Sequence, residues 1–460
     1  MFKLLDLDNF CLDLQSLRAK YLTNEVSPVQ VIELIYDRLD ALSNNSIWIT
    51  LRSRESVIAS AQALSGEDIN NLPLFGIPFA VKDNIDVLDL PTTAACPAFS
   101  YNPSHNATVV ERLIQAGAIV IGKTNLDQFA TGLVGTRSPY GACQNAFNPD
   151  FISGGSSSGS AITVAKGLVS FALGTDTAGS GRVPAAFNNL VGLKPSRGLI
   201  STTGVFPACR TLDCVSIFAL NTSDAEEVMA IAAAFDPTDS YSRSIPIEMT
   251  TKAANLSSSF RFGVPSELNF FGDTQYEQLY AQSLVQLEKI GGIPVKIDFT
   301  PFQKTAQLVY AGAWVVERYT ALKLFLANHE QEILPVLQTI LKTALNYSAS
   351  DVFTDFYRLA ELRQQTSLEW RRHSLDILAL PTTGTIYRIA EIEANPIELN
   401  TNLGYYTNFV NLLDFAAIAL PAGFRDDGLP FGITLIAPAF SDPYLCALGK
   451  RYEQIYSPHL

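Results

Sequence analysis

Apolar and polar positions along this chain recur with two different periods, which predict helices and strands in turn. In segment 28–42 the apolar residues recur at helical spacing, and Ser27 and Gln30 at its start can form a capping box, so the segment is a predicted helix. In segment 77–82 apolar residues alternate with others, which is a strand pattern. Lys82 therefore shares a strand face with small residues in an otherwise apolar run.

The same two patterns continue to the C-terminus. Helices are predicted at the start of 108–124, at 222–235 and through most of 265–375. Strands are predicted at the end of 108–124 and at 168–173, 376–381, 415–421 and 430–438. The polar stretch 236–260 predicts an exposed connection. Helices and strands that alternate in this way indicate an α/β sheet protein.

Glycine and serine are concentrated around the predicted strand 168–173. Residues 154–204 hold 10 of the 28 glycines, and residues 153–182 read SGGSSSGSAITVAKGLVSFALGTDTAGSGR. Glycine lets the backbone approach a ligand closely, and a serine hydroxyl becomes a nucleophile once a base activates it. The loop 174–181 follows the strand, where α/β sheets usually bind ligands. We therefore expect the functional site in these glycine- and serine-rich loops.

Composition narrows the class of protein without identifying a ligand. The chain has 460 residues, 47% hydrophobic and 17% charged, as in ordinary globular proteins. A net charge of −13 argues against a nucleic-acid partner, and no apolar run reaches the length of a membrane span. The N-terminus lacks a signal-peptide pattern, and six scattered cysteines without CxxC pairs indicate reduced thiols, not a disulfide frame or a zinc site. A cytoplasmic location is therefore expected.

Two motifs occur outside the structural context that each one needs. Gly117 and the triplet Gly122-Lys123-Thr124 fit a phosphate-binding loop, but the intervening Ala-Ile-Val-Ile is a strand sequence where a flexible loop is required. Residues 155–159 fit the GxSxG nucleophile elbow, but a turn-like segment, 147–150, stands where a strand should precede it. Neither motif is expected to function.

A serine nucleophile needs a general base, which is usually histidine, and the chain has only four histidines. His105, His329, His373 and His459 lie in polar or charged contexts without an obvious partner. A buried lysine can replace histidine, since desolvation disfavours its ammonium form and lowers its pKa. Lys82 is the best candidate. The alternative for Lys82 is a structural lysine, paired with a carboxylate such as the adjacent Asp83 or with its ammonium group at the surface.

Four motifs together resemble the amidase signature family. GIPFAVKDN, GGSSSGS, GTDTAGSGRVPAAF and GLKPSRG occur in the family's order and spacing. The resemblance, which spans about residues 25–460, implies an α/β fold with a large mixed sheet and helices on both faces. It further implies a single domain over 1–460, with 265–375 as a helical insertion. No metal or cofactor is implied.

The resemblance also assigns a Ser–cis-Ser–Lys triad. Lys82 matches the base, Ser156 the serine that follows a cis peptide, and Ser180 the nucleophile. The amides matched to the oxyanion hole and the two residues expected to support the loop are, respectively, Thr177, Ala178, Gly179 and Ser180, and Asp176 and Arg182. One departure is Ser158, where many members have glycine; both matched hydroxyls remain.

Several further stretches are similar to the family members that hydrolyse allophanate, a small ureido carboxylate. They include GTRSPYGACQNAFNP and GYYTNFVNLLD. By this similarity, Tyr310 and Arg318 would bind the substrate carboxylate, and Gly132 would line the pocket. Tyr310 and Arg318 are eight residues apart, which places them on one face of a single predicted helix. An alternative for Arg318 is a surface ion pair with Glu317.

The resemblance implies ammonia release, a homodimer and a functional link to urea carboxylase. Many such members carry an additional C-terminal domain, which is not expected within residues 1–460. The enzymatic alternatives are a hydrolase of carboxybiuret, a broad amidase, or an amidotransferase subunit that takes ammonia from glutamine. A non-catalytic binding protein of the same fold is a further alternative, but the set of Lys82, Ser156 and Ser180 argues against it.

Overall fold

A mixed eleven-stranded sheet forms the centre of the computed structural model, which describes residues 10–42, 46–246 and 257–456. The strands are β1 (Trp48–Leu51), β2 (Pro78–Lys82), β3 (Ile119–Thr124), β4 (Phe171–Asp176), β5 (Val191–Lys194), β6 (Cys214–Ala219), β7 (Phe260–Pro265), β8 (Gly292–Ile297), β9 (Ile377–Pro381), β10 (Phe415–Phe424) and β11 (Pro430–Pro438). Their order across the sheet is β1-β3-β2-β4-β6-β5-β10-β11-β9-β7-β8.

The sheet contains parallel and antiparallel pairs, as the prediction required. Strand β2 lies between β3 and β4 and is parallel to both. From β4 to β9 the neighbours are antiparallel, and β7 is again parallel to β9 and β8. All five residues of β2 are buried, because the strand has neighbours on both edges and helices over the sheet. Lys82 is therefore inside the protein.

Helices flank the sheet, and together with the mixed strands they confirm the predicted fold. They are α1 (Leu14–Leu22), α2 (Pro28–Asp40), α3 (Arg54–Ala63), α4 (Thr108–Gln115), α5 (Ser158–Ala165), α6 (Val183–Phe187), α7 (Thr222–Ala232), α8 (Thr274–Lys289), α9 (Thr300–Ala311), α10 (Trp314–His329), α11 (Pro335–Lys342), α12 (Ala349–Arg372), α13 (Ile389–Ala394), α14 (Glu398–Leu403), α15 (Phe409–Leu412) and α16 (Asp442–Ile455). Helix α2 begins with the predicted capping box of Ser27 and Gln30. Among the described residues, no helix combines the length and apolar character needed to cross a membrane.

The predicted boundaries of β4 were wrong by three residues. The expected strand was 168–173 with a loop from 174, whereas the strand runs from Phe171 to Asp176. Thr175 and Asp176 continue the ladder because they pair with Val215 and Cys214 of β6. This long-range pairing carries the start of the Gly/Ser-rich loop into the sheet.

The stretch 265–375 is mostly helical, as expected, but it also contributes β8 to the sheet edge. The connection 236–260 is anchored at its start, where the Asp236 carboxylate is buried and accepts hydrogen bonds from Thr108 (2.9 Å) and Ser201 (2.6 Å). Part of that predicted connection, 247–256, lies outside the described residues.

Candidate active site

Lys82 lies at the C-terminal end of β2, with its amine inside the protein. Its Nζ donates hydrogen bonds to Ser156 Oγ (2.7 Å) and to Thr175 Oγ1 (2.7 Å), and its side chain is fully buried. No carboxylate lies within ion-pair distance of Lys82 in the described part of the chain. The structural alternative, a lysine paired with Asp83, is wrong: Asp83 pairs with Lys123 at 3.1 Å.

Burial lowers the pKa of the Lys82 ammonium to about 7. Desolvation is the main cause, and the charges of Asp127 and Asp213 only partly oppose it. A large fraction of the amine is therefore neutral at physiological pH. A neutral amine donates two hydrogen bonds and accepts one, so it can hold Thr175 and still take a proton from Ser156.

Ser156 is held by the loop that precedes α5. The Gly155–Ser156 peptide bond is cis, as the resemblance implied, and Ser156 is fully buried. The carbonyl of Ser156 accepts a hydrogen bond from the Asp127 amide (3.1 Å). A Cβ at Gly155 would lie 2.2 Å from Asp127 Oδ2, so this position requires glycine.

Ser180 lies on the loop after β4, on the same side as Lys82 and Ser156. It is 3% exposed, and its Oγ donates to the carbonyl of Gly132 at 3.5 Å. No hydrogen bond between the hydroxyls of Ser180 and Ser156 is present in the described residues. The structure thus places Gly132 beside the predicted nucleophile and shows no direct link between the two serines in the described residues.

The loop that carries Ser180 is braced by an ion pair. Arg182 donates two hydrogen bonds to the Asp176 carboxylate, each 2.9 Å long, and neither side chain is exposed. Burial raises the pKa of Asp176, but the Arg182 guanidinium outweighs this and holds the pKa below its usual value. Arg182 also donates to the carbonyl of Thr407 (3.2 Å), which connects the loop to the segment just before α15.

Three backbone amides of this loop are available to an oxyanion. The amides of Thr177, Ala178 and Ser180 have no hydrogen-bond acceptor within the described residues, although all three residues are buried. The Gly179 amide is different, because it donates to Asp176 Oδ1 at 2.9 Å. The expectation that Gly179 supplies an oxyanion donor therefore needs correction: its amide is already used to hold the loop.

Asp213 fixes the first residue of this loop. It accepts hydrogen bonds from the Thr177 hydroxyl and from the amides of Ala208 (2.8 Å) and Cys209 (3.2 Å). Burial raises the pKa of the Asp213 carboxyl to about 6. The carboxyl is thus still mostly charged at pH 7, and its negative charge lies close enough to favour the ammonium form of Lys82.

Tyr310 and Arg318 come together, although not as predicted. The helix is interrupted at Gly312, so Tyr310 is in α9 and Arg318 is in α10. The Arg318 guanidinium still lies over the Tyr310 ring, 5.1 Å from its centre, and donates to Thr131 Oγ1 (3.2 Å). Arg318 is 2% exposed, which excludes the surface ion pair with Glu317; that residue instead accepts hydrogen bonds from Thr211.

The lysine of the apparent phosphate-binding motif has a structural role in the fold. Lys123 is in β3 and is fully buried, where it pairs with Asp83 and donates to Thr92 Oγ1 (3.0 Å). The described histidines contact their own neighbours, with partners Ser104, Phe325 and Glu369 for His105, His329 and His373, respectively. His459 lies outside the described residues.

Sequence reasoning missed several residues around the site. They are Thr175, Asp127, Asp213, Thr131 and Arg137. Thr175 lies within the Gly/Ser-rich loop 174–181, and Arg137 lies within the family-like stretch GTRSPYGACQNAFNP, so the sequence indicated these segments without indicating the contacts of the two residues. Asp127 and Asp213 gave no signal, because the sequence does not show that their carboxylates lie near Lys82.

Comparison with known proteins identifies the family. The model of the Amidase family matches residues 30–446. The chain belongs to the amidase family. This confirms the predicted family.

Two relatives illustrate the range of amidase proteins that this chain is similar to. Urea amidolyase from Saccharomyces cerevisiae is 47% identical over 437 residues, which cover 94% of this chain and 23% of that protein. One of the subunits of glutamyl-tRNA(Gln) amidotransferase from Methylacidiphilum infernorum is 31% identical over 479 residues, which cover 97% of this chain and 94% of that protein. The chain thus spans less than a quarter of the urea amidolyase.

A solved structure agrees with the fold throughout the described chain. The allophanate hydrolase from Kluyveromyces lactis superposes with a TM-score of 0.91 at 43% identity, over 97% of this chain and 73% of that one.

Proposed function

We propose that this chain hydrolyses allophanate with release of ammonia, as a step of urea degradation. The names of the yeast relatives, urea amidolyase and allophanate hydrolase, support the substrate. The observation that carries the chemistry is the buried amine of Lys82, which has a pKa of about 7 and is 2.7 Å from the Ser156 hydroxyl. An amine in this state is a general base at neutral pH.

The reaction begins when Ser180 turns from the Gly132 carbonyl towards Ser156. Neutral Lys82 takes the proton of Ser156 while Ser156 takes that of Ser180, and Ser180 Oγ forms a bond with the terminal amide carbon of the substrate. Hydrogen bonds of this kind often tighten only when the substrate is in place. The proton returns to the leaving nitrogen as the C–N bond breaks, which releases ammonia and leaves an acyl-enzyme. Water then cleaves this ester by the same proton route.

The negative charge that develops on the substrate oxygen is stabilised by backbone amides. Thr177, Ala178 and Ser180 supply amides without an acceptor in the described part of the protein, at the loop that carries the nucleophile. Loss of one such donor typically costs about 3–4 kcal/mol of transition-state stabilisation. Asp176, Arg182 and Asp213 hold this loop in place and do not contact the substrate in this mechanism.

The substrate carboxylate is bound by Arg318, with Tyr310 and Gly132 in the same pocket. Arg318 is buried and has no ion-pair partner in the described chain, so a carboxylate of the substrate would supply its missing counter-charge. An uncharged amide would leave that charge unpaired. This favours allophanate over simple amides.

The test is ammonia release from allophanate by the purified chain. The wild type should be active, and Ser180→Ala should lower kcat by at least about 1,000-fold with the fold retained by circular dichroism. Ser170→Ala is the matched control, since Ser170 is also buried but its Oγ has no hydrogen-bond partner in the described residues. An active Ser180→Ala variant, or an inactive wild type, would contradict the proposal.

A glutamine-dependent amidotransferase subunit is the second candidate. The near full-length similarity to one of the subunits of glutamyl-tRNA(Gln) amidotransferase favours it. It predicts activity with glutamine and dependence on a partner protein. A hydrolase of carboxybiuret is the nearest rival by chemistry, because that substrate also carries a carboxylate.

The remaining expectations concern the assembly and its setting. We propose that the chain is a single amidase domain that forms a homodimer in the cytoplasm. It acts on the product of a urea carboxylase and needs no metal or cofactor. The family resemblance supports this. Light scattering on the purified chain would test the dimer.

A further inference from the structure

Two buried arginines donate hydrogen bonds to the same residue, Thr131, which precedes the Gly132 that contacts Ser180. Arg137 Nη1 donates to the backbone carbonyl of Thr131 (2.9 Å), and Arg318 Nη1 donates to the side-chain hydroxyl of Thr131 (3.2 Å). The two arginines are 3% and 2% exposed. Arg137 was not singled out by the sequence.

Neither guanidinium has an ion-pair partner in the described part of the protein. No carboxylate lies within 4.0 Å of the Arg137 or Arg318 side chain there, and the Nε atom of each has no hydrogen-bond acceptor. Asp127 is the carboxylate whose charge acts on Arg137. Its oxygens, however, accept hydrogen bonds from the backbone amides of Val134, Gly135 and Arg137 and not from the guanidinium.

Two buried cations without ion-pair partners are only partly stabilised. The nearest negative charges, Asp127 for Arg137 and Asp213 and Glu317 for Arg318, act without forming an ion pair with them. Burial lowers the pKa of the Arg137 guanidinium, and the neighbouring positive charge of Arg318 lowers it further. Such a pair is stabilised when an anion binds between the two groups, and the unpaired Nε–H donors are suited to a carboxylate. The arrangement therefore fits an anionic ligand better than a neutral one.

The pair is close to the predicted reaction centre. Gly132 joins the two, because a Cβ at this residue would lie 3.1 Å from Arg137 Cδ, and its carbonyl is 3.5 Å from Ser180 Oγ. Thr131 also links the two arginines, because Arg137 donates to its carbonyl and Arg318, which covers the Tyr310 ring, donates to its hydroxyl. Arg137 thus lies next to Gly132 and shares Thr131 with Arg318.

We infer that Arg137 and Arg318 together form the binding site for the carboxylate of the substrate, and that Arg137 sets the preference for anionic ureas over neutral ureas of the same shape. The inference rests on the proposed function and adds a specificity-determining residue to it. Each arginine supplies one charge-assisted contact.

Allophanate and biuret form a suitable pair of substrates for the test. Biuret has a carboxamide where allophanate has a carboxylate, and the two are otherwise alike. Arg137→Gln should raise KM for allophanate by about 10-fold or more, as expected for one hydrogen bond to a charged group. It should change kcat/KM for biuret by less than about threefold. Arg137→Lys, which keeps the charge, should retain part of the preference.

Controls separate a binding role from a structural one. Arg137 also holds the carbonyl of Pro396 (2.6 Å), so a purely structural role would lower the activity on both substrates equally and would overturn the inference. Arg112→Gln, which removes a half-buried arginine bonded to the Ile231 carbonyl (3.0 Å), should leave the ratio between the substrates unchanged. If Arg137→Gln unfolds in thermal denaturation, the ratio for Arg137→Lys decides: an unchanged ratio contradicts the inference.

The proposed function and this inference fail in different ways. A wild type without activity on allophanate would refute the function itself. A wild type that prefers allophanate to biuret, with the same preference retained in Arg137→Gln, would refute only the role of Arg137.

Discussion

The dependence of hydrolysis on pH reports directly on Lys82, because only its neutral amine can take a proton from Ser156. Burial lowers the pKa of this lysine from 10.5 to about 7. At pH 7 an ordinary lysine is neutral in about 0.03% of molecules, whereas a lysine with a pKa near 7 is neutral in about half of them. The shift corresponds to about 5 kcal/mol in favour of the neutral form. We therefore expect kcat/KM to rise about tenfold per pH unit below pH 7 and to level off above it.

The assay is ammonia release between pH 5 and 10, with biuret beside allophanate so that titration of the substrate is recognised. Lys82→Met should abolish the rise together with the activity, whereas Lys323→Met, at an exposed position, should keep the wild-type profile. A plateau reached only near pH 10, or a profile without a rise, would refute the role of Lys82 as a neutral base.

The same shift predicts the sign of an effect on stability. Between pH 7 and 10.5 the unfolded chain keeps the proton of Lys82 while the folded chain has lost it. The free energy of unfolding therefore increases with pH across this window, and the cost of burying Lys82 is greatest below it. Urea denaturation of wild type and Lys82→Met should diverge most below pH 7, with the variant relatively more stable there. Curves that run parallel across the window would contradict the shifted pKa.

Two further predictions concern the loop around Ser180. Arg182→Ala leaves the Asp176 carboxylate buried without its partner, and should lower the free energy of unfolding in urea by about 3–5 kcal/mol; a loss below about 1 kcal/mol would show that the pair does not support the loop. Gly179→Ala places a Cβ 2.5 Å from Thr407 Oγ1 at a φ of +137°, and should lower kcat by more than about tenfold as the loop shifts. Gly428→Ala also has a positive φ but has nothing within 4 Å of the new Cβ, so it should keep full activity; equal losses in both variants would assign the effect to backbone strain alone.

The sequence alone was sufficient where a local pattern decides the structure. The capping residues before α2 and the apolar run around Lys82 gave the helix and the buried strand directly. The motifs around Ser156 and Ser180 then gave the family and hence the mixed sheet. In these cases the residues that determine the local structure also form the sequence pattern from which it was predicted.

Local patterns failed where a distant contact decides. Thr175 and Asp176 have the composition of a loop, yet their pairing with β6 extends β4. Helical spacing over 310–318 suggested one helix, but the helix ends before Gly312 and a second one begins at Trp314. The contact between Arg318 and Tyr310 therefore forms between two helices.

The finer features of the site depend on contacts that no motif encodes. The Gly179 amide is used by Asp176, which only the folded loop shows. Arg137 lies in a motif that resembles other family members, but its position against Thr131 and Arg318 arises from packing of separate loops. The extent of the domain over 1–460 stays a prediction.

The most direct measurement is the rate of ammonia release by the purified chain alone, with allophanate and glutamine in parallel. Because the buried Arg318 and Arg137 have no ion-pair partner in the described part of the chain, kcat/KM for allophanate should exceed that for glutamine by at least about 100-fold, without any added protein. A preference for glutamine, or activity that depends on a second protein, would contradict the account.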